Sequence, residues 1–384
     1  MNTVPQTPPL DSETLQLFTD SVERYGQDKY GFDTYRALLQ AAPAYSQQAW
    51  SDYARMGWLG AALPVDDGGF GSDPKAVAAL MRYVGERLAL EPLFTSAVVS
   101  GRLLALCGND EAARTRLQAL AAGGRIFALA HTEHTADAFD GHVAATVTGG
   151  KLYGHKLVVM HGDLADELIV SVAESADARG TVAQRLSLYG VDVGQPGVRK
   201  TGYRLIDGRG AASFDFNGAK VSLLGPLGEG ATLLAQALLD ARLALCAEAH
   251  GAMRVLNRLT LAYLKDRRQF GRPIGMNQAL QHRMVELYML EHETAAVIAA
   301  AERAVGLGAP QRARAVMGAV AHVMTAGRQI SHEAVQLHGG MGTTDELAVS
   351  HYFKRVMVVN RLLGDRDAHL DAFARAGAAV TDNE

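Results

Sequence analysis

The chain has 384 residues, of which 48% are apolar and 20% charged, and its formal net charge is −4. That length accommodates a large core and two or three domains, and the composition is ordinary for a globular protein. Basic residues are scattered rather than striped, which excludes an electrostatic footprint for nucleic acid.

Residues 1–9 are polar and proline-containing and lack the basic and apolar regions of a signal peptide. Apolar residues then recur at spacings of three and four over Leu15–Tyr25, Tyr35–Ala42, Gln47–Met56, Pro74–Arg87 and Phe94–Leu106, which predicts helices. The stretch Leu63–Gly71 (LPVDDGGFG) interrupts them as a loop, and Asp110 before Glu111 reads as a helix start. The period then changes. Phe127–Ala130, His142–Val147, Leu168–Val172, Ser187–Val191 and Ala212–Phe216 are short runs punctuated by glycines, the pattern of an antiparallel β domain. No GxGxxG follows a strand, which argues against a Rossmann fold. From Gly230 the chain predicts long helices: one carrying a stripe from Leu234 to Tyr263, then Met276–Val305, Gln311–Leu337 and Glu346–Arg375. The expected division is 1–123, 124–228 and 229–384. No apolar run reaches the roughly 20 residues that span a bilayer. Cys107 and Cys246 lie far apart in apolar helical settings, so no disulfide or metal site is expected. A cytoplasmic protein without nucleic-acid or membrane partners is the expectation.

Two motifs carry chemistry. Tyr263–Ile274 (YLKDRRQFGRPI) closes the first long helix and leads to Gln278; Gln336–Gly342 (QLHGGMG) closes the third. Arg267 can clamp a pyrophosphate through charge-assisted hydrogen bonds, Phe270 can pack on an adenine or ribose, and Gly339 and Gly340 let backbone approach a nucleotide. Taken singly, each has a plainer reading: Arg267 as a solvated helix-end cation, Gly339–Gly342 as a helix C-cap, His131 as a structural histidine, Glu248 as a packed carboxylate, and Asp365 as a helix cap.

In combination, these motifs resemble those of the acyl-CoA dehydrogenase family over nearly the whole chain. Trp58-Leu59-Gly60 with Leu63-Pro64 and Gly68-Gly69 is similar to its N-terminal signature. Thr132-Glu133 after the strand Phe127–Ala130, and Gly154-His155-Lys156 with Gly162, resemble its two flavin-facing strands. Ala130–Glu133, Cys246–Ala249, His351–Arg355 and Gly364-Asp365 with His369 look closest to the small subunit of pimeloyl-CoA dehydrogenase-type enzymes.

The resemblance implies a mainly α fold with a central antiparallel β domain, that is, a helical domain, a β-barrel-like domain and a C-terminal four-helix bundle. It implies FAD held by Leu129, His131, Thr132, Val158, Met160, Arg267, Phe270, Gln278, Gln336, Gly339 and Gly340, with Arg242 toward an acyl-CoA substrate. The implied reaction belongs to fatty acid metabolism and β-oxidation: a base takes the α proton and the β hydride passes to flavin N5. The implied partners are an electron acceptor such as an electron-transfer flavoprotein and further subunits of a homo- or hetero-tetramer, with FAD partly at a subunit interface.

The pattern breaks at the base. The usual glutamate falls on Leu363 before Gly364, and the alternative position on Ala241 before Arg242; neither side chain abstracts a proton. Three readings stand: Asp365 as base, a base from a second acyl-CoA dehydrogenase-like subunit, or a catalytically silent, structural or FAD-binding partner. A flavin oxidase of the same fold, nitroalkane-oxidase-like and with an aspartate base, is the further alternative. On the flavin-facing strand the family's aromatic and hydroxyl residues are replaced by Val158 and Met160.

Overall fold

The computed structural model describes residues 10–108, 111–134, 142–174 and 185–381, so Asp110 lies outside the described residues. The chain forms two compact units: Met1–Ser21, Arg36–Leu80 and Leu90–Ala241 in the first, and Val22–Tyr35, Met81–Ala89 and Arg242–Glu384 in the second. The early helices are α1 (Ser12–Asp28), α2 (Phe32–Leu39), α3 (Gln47–Arg55), α4 (Pro74–Arg87), α5 (Gly101–Cys107) and α6 (Glu111–Ala121). The predicted helix Phe94–Leu106 is real but begins as a fully buried π-helical stretch, Leu93–Ser100, ahead of α5. Ser100 Oγ donates to Thr95 O (2.7 Å) within it.

In the first unit, Trp58, Leu59 and Leu63 are fully buried. The loop after them closes tightly, because a Cβ on Gly69 would lie 2.3 Å from Leu63 O. The glycines of that signature therefore have a packing reason. Among the described residues, eight strands follow: β1 (Phe127–Ala130), β2 (Thr146–Thr148), β3 (Lys151–Met160), β4 (Glu167–Ala173), β5 (Leu186–Asp192), β6 (Val198–Arg204), β7 (Gly210–Lys220) and β8 (Ser222–Leu224). They make two four-stranded sheets, ordered β1-β4-β5-β8 and β2-β3-β7-β6. Two features differ from expectation. β1 pairs with β4 in parallel, and among the described residues the sheets stay open rather than closing a barrel. β4 is buried along its length, as a strand covered on both faces is, which explains its run of apolar residues. β6 is polar and exposed and gave no periodic signal. The hairpin β2–β3 turns on Gly149-Gly150, both at positive φ, as a two-residue turn of the primed type requires.

The second unit is helical. Its elements include α7 (Gly230–Asp266, from Arg242 on), α8 (Gln278–Arg303), α9 (Ala309–His338), α10 (Ala348–Leu363) and α11 (Arg366–Thr381). α9 is central, packing against α8, α10 and α11. The predicted last helix is two, because Gly364 (φ +101°) breaks it and Asp365 starts the next. α4 and α7 cross closely: a Cβ on Gly85 would lie 1.9 Å from Glu248 O, and one on Gly251 2.3 Å from Arg82 O. Arg355 finishes that crossing. It is fully buried, pairs with Glu248 (3.3 Å) and donates to the carbonyls of Val84, Leu88 and Ala89 at the C-terminus of α4. A cation there complements the helix dipole. α7 is long and apolar enough by composition to cross a membrane, contrary to the sequence reading, but 61% of that window is buried inside the fold, as in a core helix.

Candidate functional site

The expected flavin-facing residues of the first unit gather where β1 ends. Lys156, on β3, is fully buried among Glu133, His131 and Ser171. Its Nζ donates to Glu133 Oε1 (2.7 Å), His131 O (3.1 Å) and Ser171 Oγ (3.1 Å), which satisfies all three ammonium protons. Glu133 also accepts from Ala144 N (2.7 Å) and Ala145 N (3.0 Å). Burial pulls Lys156 from 10.5 down to about 8, against the opposing charge of Glu133. Burial works to raise Glu133, but Lys156 and the two backbone donors hold it below its usual 4.5. The network joins the end of β1 to β3 and β4. His131 is buried with Nδ1 2.7 Å from Ser171 Oγ, a structural setting. Thr132 is half-buried and its carbonyl accepts from Leu157 N (2.8 Å); Leu129 is half-buried on β1. Val158 is half-buried at φ +50° in a bulge of β3, and Met160 is buried at the strand's end.

The second unit brings the other expected residues to one end. Tyr263, near the end of α7, stacks on His338 at the end of α9 (4.3 Å between centroids) and donates to His338 O (3.3 Å). Four residues past Tyr263 is Arg267; immediately past His338 are Gly339 and Gly340. After Arg267 the chain forms a hairpin of β9 (Arg268–Gln269) and β10 (Arg272–Pro273) turning on Phe270-Gly271, at φ +51° and +80°. Phe270 is 102% exposed, so no burial compensates its left-handed backbone. Gln278 opens α8 and Gln336 closes α9, both exposed. Arg267, Gln278 and Gln336 make no side-chain hydrogen bond or ion pair among the described residues. A Cβ on Gly339 or Gly340 would meet nothing within 4 Å, so that backbone is open. An unengaged cation, a bare aromatic ring, two free amides and open glycine backbone are the donor set a nucleotide pyrophosphate and adenine call for, and FAD fits them.

Neither base position has changed character. Ala241, Leu363 and Arg242 are all buried. Leu363 is fixed by His369, whose Nε2 lies 2.6 Å from Leu363 O. Asp365 is exposed, and its Oδ1 accepts from Asp367 N (2.8 Å) as a cap of α11. Glu248 is the packed partner of Arg355. Sequence reading did not foresee the Lys156–Glu133 pair, because a separation of 23 residues carries no periodic signal. The Tyr263–His338 stack escaped it likewise, being a tertiary contact.

Comparison with known proteins places this geometry. The N-terminal domain of acyl-CoA dehydrogenases matches residues 12–124 and their C-terminal domain residues 228–378. Acyl-CoA dehydrogenase IpdE2 of Mycolicibacterium smegmatis is 26% identical over 358 residues, 92% of this chain and 95% of that protein. The structure of a variant of the Tcur3481-Tcur3483 steroid ACAD superposes with a TM-score of 0.84 at 26% identity, covering 96% of this chain and 99% of that one. The ChsE4-ChsE5 complex from Mycobacterium tuberculosis superposes with a TM-score of 0.83 at 24% identity, covering 96% and 98%. The two domain matches span most of the chain in the expected order, and the chain belongs to the acyl-CoA dehydrogenase family, whose members are FAD-carrying oxidoreductases acting on acyl-CoA.

Proposed function

We propose that this chain is the FAD-binding subunit of a hetero-oligomeric acyl-CoA dehydrogenase whose base comes from a second, related subunit. FAD, when bound, supplies the hydride acceptor at flavin N5 for α,β-dehydrogenation of an acyl-CoA thioester. Arg267 neutralises pyrophosphate charge, Phe270 covers the adenine, and Gln278, Gln336 and the open backbone of Gly339 and Gly340 hydrogen-bond the nucleotide. Leu129, His131, Thr132, Val158 and Met160 of the first unit would meet a flavin ring. Arg242 would contact the acyl-CoA substrate. The reaction is cytoplasmic, an electron-transfer flavoprotein takes the electrons, and the substrate is a bulky acyl-CoA. The steroid ACAD named among the superposed structures supports a steroid-derived acyl group.

The observation that carries the reading is the unengaged set Arg267, Phe270, Gln336, Gly339 and Gly340 at one end of the second unit, together with base positions occupied by Leu363 and Ala241. The test is titration of the purified chain with FAD, followed by flavin absorption after removal of free FAD. A flavin spectrum in the wild type, lost in Arg267→Ala, is expected; a wild-type chain that stays colourless overturns the proposal.

A further inference from the structure

Tyr203 sits on the polar edge strand β6 and is 37% exposed, yet its hydroxyl is held at a specific place. Its Oη accepts from Val158 N at 3.1 Å and lies 3.4 Å from Ser213 Oγ. The register explains how a residue on β6 reaches β3. Tyr203 stands opposite Ala211 on β7, and Ala211 stands opposite Met160 on β3. Residues opposite one another project to the same face, so Tyr203 and Met160 share a face of the sheet. Ser213, two residues along β7 from Ala211, projects there too.

The bulge supplies the second half of the argument. The β3–β7 register shifts between Lys156 and Val159, which leaves Leu157 and Val158 out of the ladder. Leu157 N turns to Thr132 O, and Val158 adopts φ +50°, a region that a β-branched residue rarely enters. Val158 N has left its strand partner, and the Tyr203 phenol satisfies it from two strands away. The ring is thereby anchored at its hydroxyl end beside Val158, with part of its surface uncovered. Bulges of this kind re-aim side chains next to functional sites.

We propose that Tyr203 is a flavin-contacting residue, presenting from β6 the aromatic face and hydroxyl that β3 lacks at Val158 and Met160. This rests on the FAD-binding reading above. A tyrosine ring against the isoalloxazine quenches its emission by electron donation from the phenol and contributes to affinity through stacking.

The test uses the full chain reconstituted with FAD, comparing wild type, Tyr203→Ala and Tyr203→Phe by flavin emission, absorption envelope and FAD affinity. Apo-protein circular dichroism reports the fold. Tyr203→Ala is expected to fold, to raise bound-flavin emission several-fold and to weaken FAD binding about tenfold. Tyr203→Phe is expected to raise the emission too, because a phenyl ring is too poor an electron donor to quench, and to shift the absorption envelope through loss of the hydroxyl. Wild-type emission and affinity in Tyr203→Ala overturn the proposal while leaving the FAD reading intact. A wild type that takes up no FAD overturns both. If Tyr203→Ala does not fold, Tyr203→Phe decides, and an absorption envelope and affinity identical to wild type overturn the proposal.

Discussion

Removing Glu133 tests whether the Lys156 network is what holds the end of β1 against β3 and β4. In Glu133→Ala the Lys156 ammonium, with no exposed surface, keeps His131 O and Ser171 Oγ but loses its counter-charge, and Ala144 N and Ala145 N lose their acceptor. Breaking a buried pair from one side costs about 3–5 kcal/mol. In a unit of this size that lowers the unfolding midpoint by roughly 10 °C. Lys156→Met strands the carboxylate instead and carries a comparable cost. Glu133→Ala with Lys156→Met removes both charges, so its cost falls well below the sum, with a coupling of about 2 kcal/mol or more. Urea unfolding followed by circular dichroism measures all four proteins. pH adds an independent check on the wild type. The folded chain releases the Lys156 proton at about 8 and the unfolded chain at 10.5, so the unfolded state binds more protons between those values and this group adds stability as pH rises through them. Glu133 contributes stability above 4.5 that is lost as pH falls through its lower folded value. Single variants within about 1 kcal/mol of wild type, or strictly additive costs, refute the reasoning.

Three further outcomes follow from the second unit. Phe270→Gly relieves a left-handed phenylalanine that buries nothing, so it leaves the apo protein as stable or about 1 kcal/mol more stable, while isothermal titration shows weaker FAD binding. Gly85→Ala forces α4 from α7 against Glu248 O and lowers stability by about 3 kcal/mol in urea unfolding. His338 is held below its usual 6.5 by burial, opposed by its hydrogen bond to Ala334 O, so the unfolded chain binds more protons just below 6.5. Stability therefore falls on acidification through that range, and His338→Gln flattens the fall in a urea-midpoint series across pH.

The helices were legible because their faces repeat every three to four residues over long stretches, as the stripe from Leu234 to Tyr263 in α7 does. The β2–β3 turn was legible too, since Gly149-Gly150 is a local signal. The break at Gly364 was not, because a helical stripe continues across it and only the capping geometry of Asp365 ends α10 and starts α11. The parallel pairing of β1 with β4 is a long-range choice that neither strand's pattern encodes. At the site, Arg267, Phe270, Gly339 and Gly340 stood out as motifs, whereas the stack of Tyr263 on His338 that gathers them depends on the fold. Lys156 stood in the sequence only as part of the Gly154-His155-Lys156 motif. Its burial is intelligible only once Glu133, His131 and Ser171 surround it.

The central claim is that FAD binding belongs to this chain and proton abstraction does not. Stopped-flow absorption, following bleaching of the bound flavin after addition of a bulky acyl-CoA without oxygen, tests it most directly. The FAD-loaded chain alone, its Asp365→Ala variant, and the chain mixed with a related subunit carrying the glutamate are compared. Rapid bleaching only in the mixture, unchanged when the mixture contains Asp365→Ala, is the predicted result. Rapid bleaching by this chain alone, abolished by Asp365→Ala, contradicts the account.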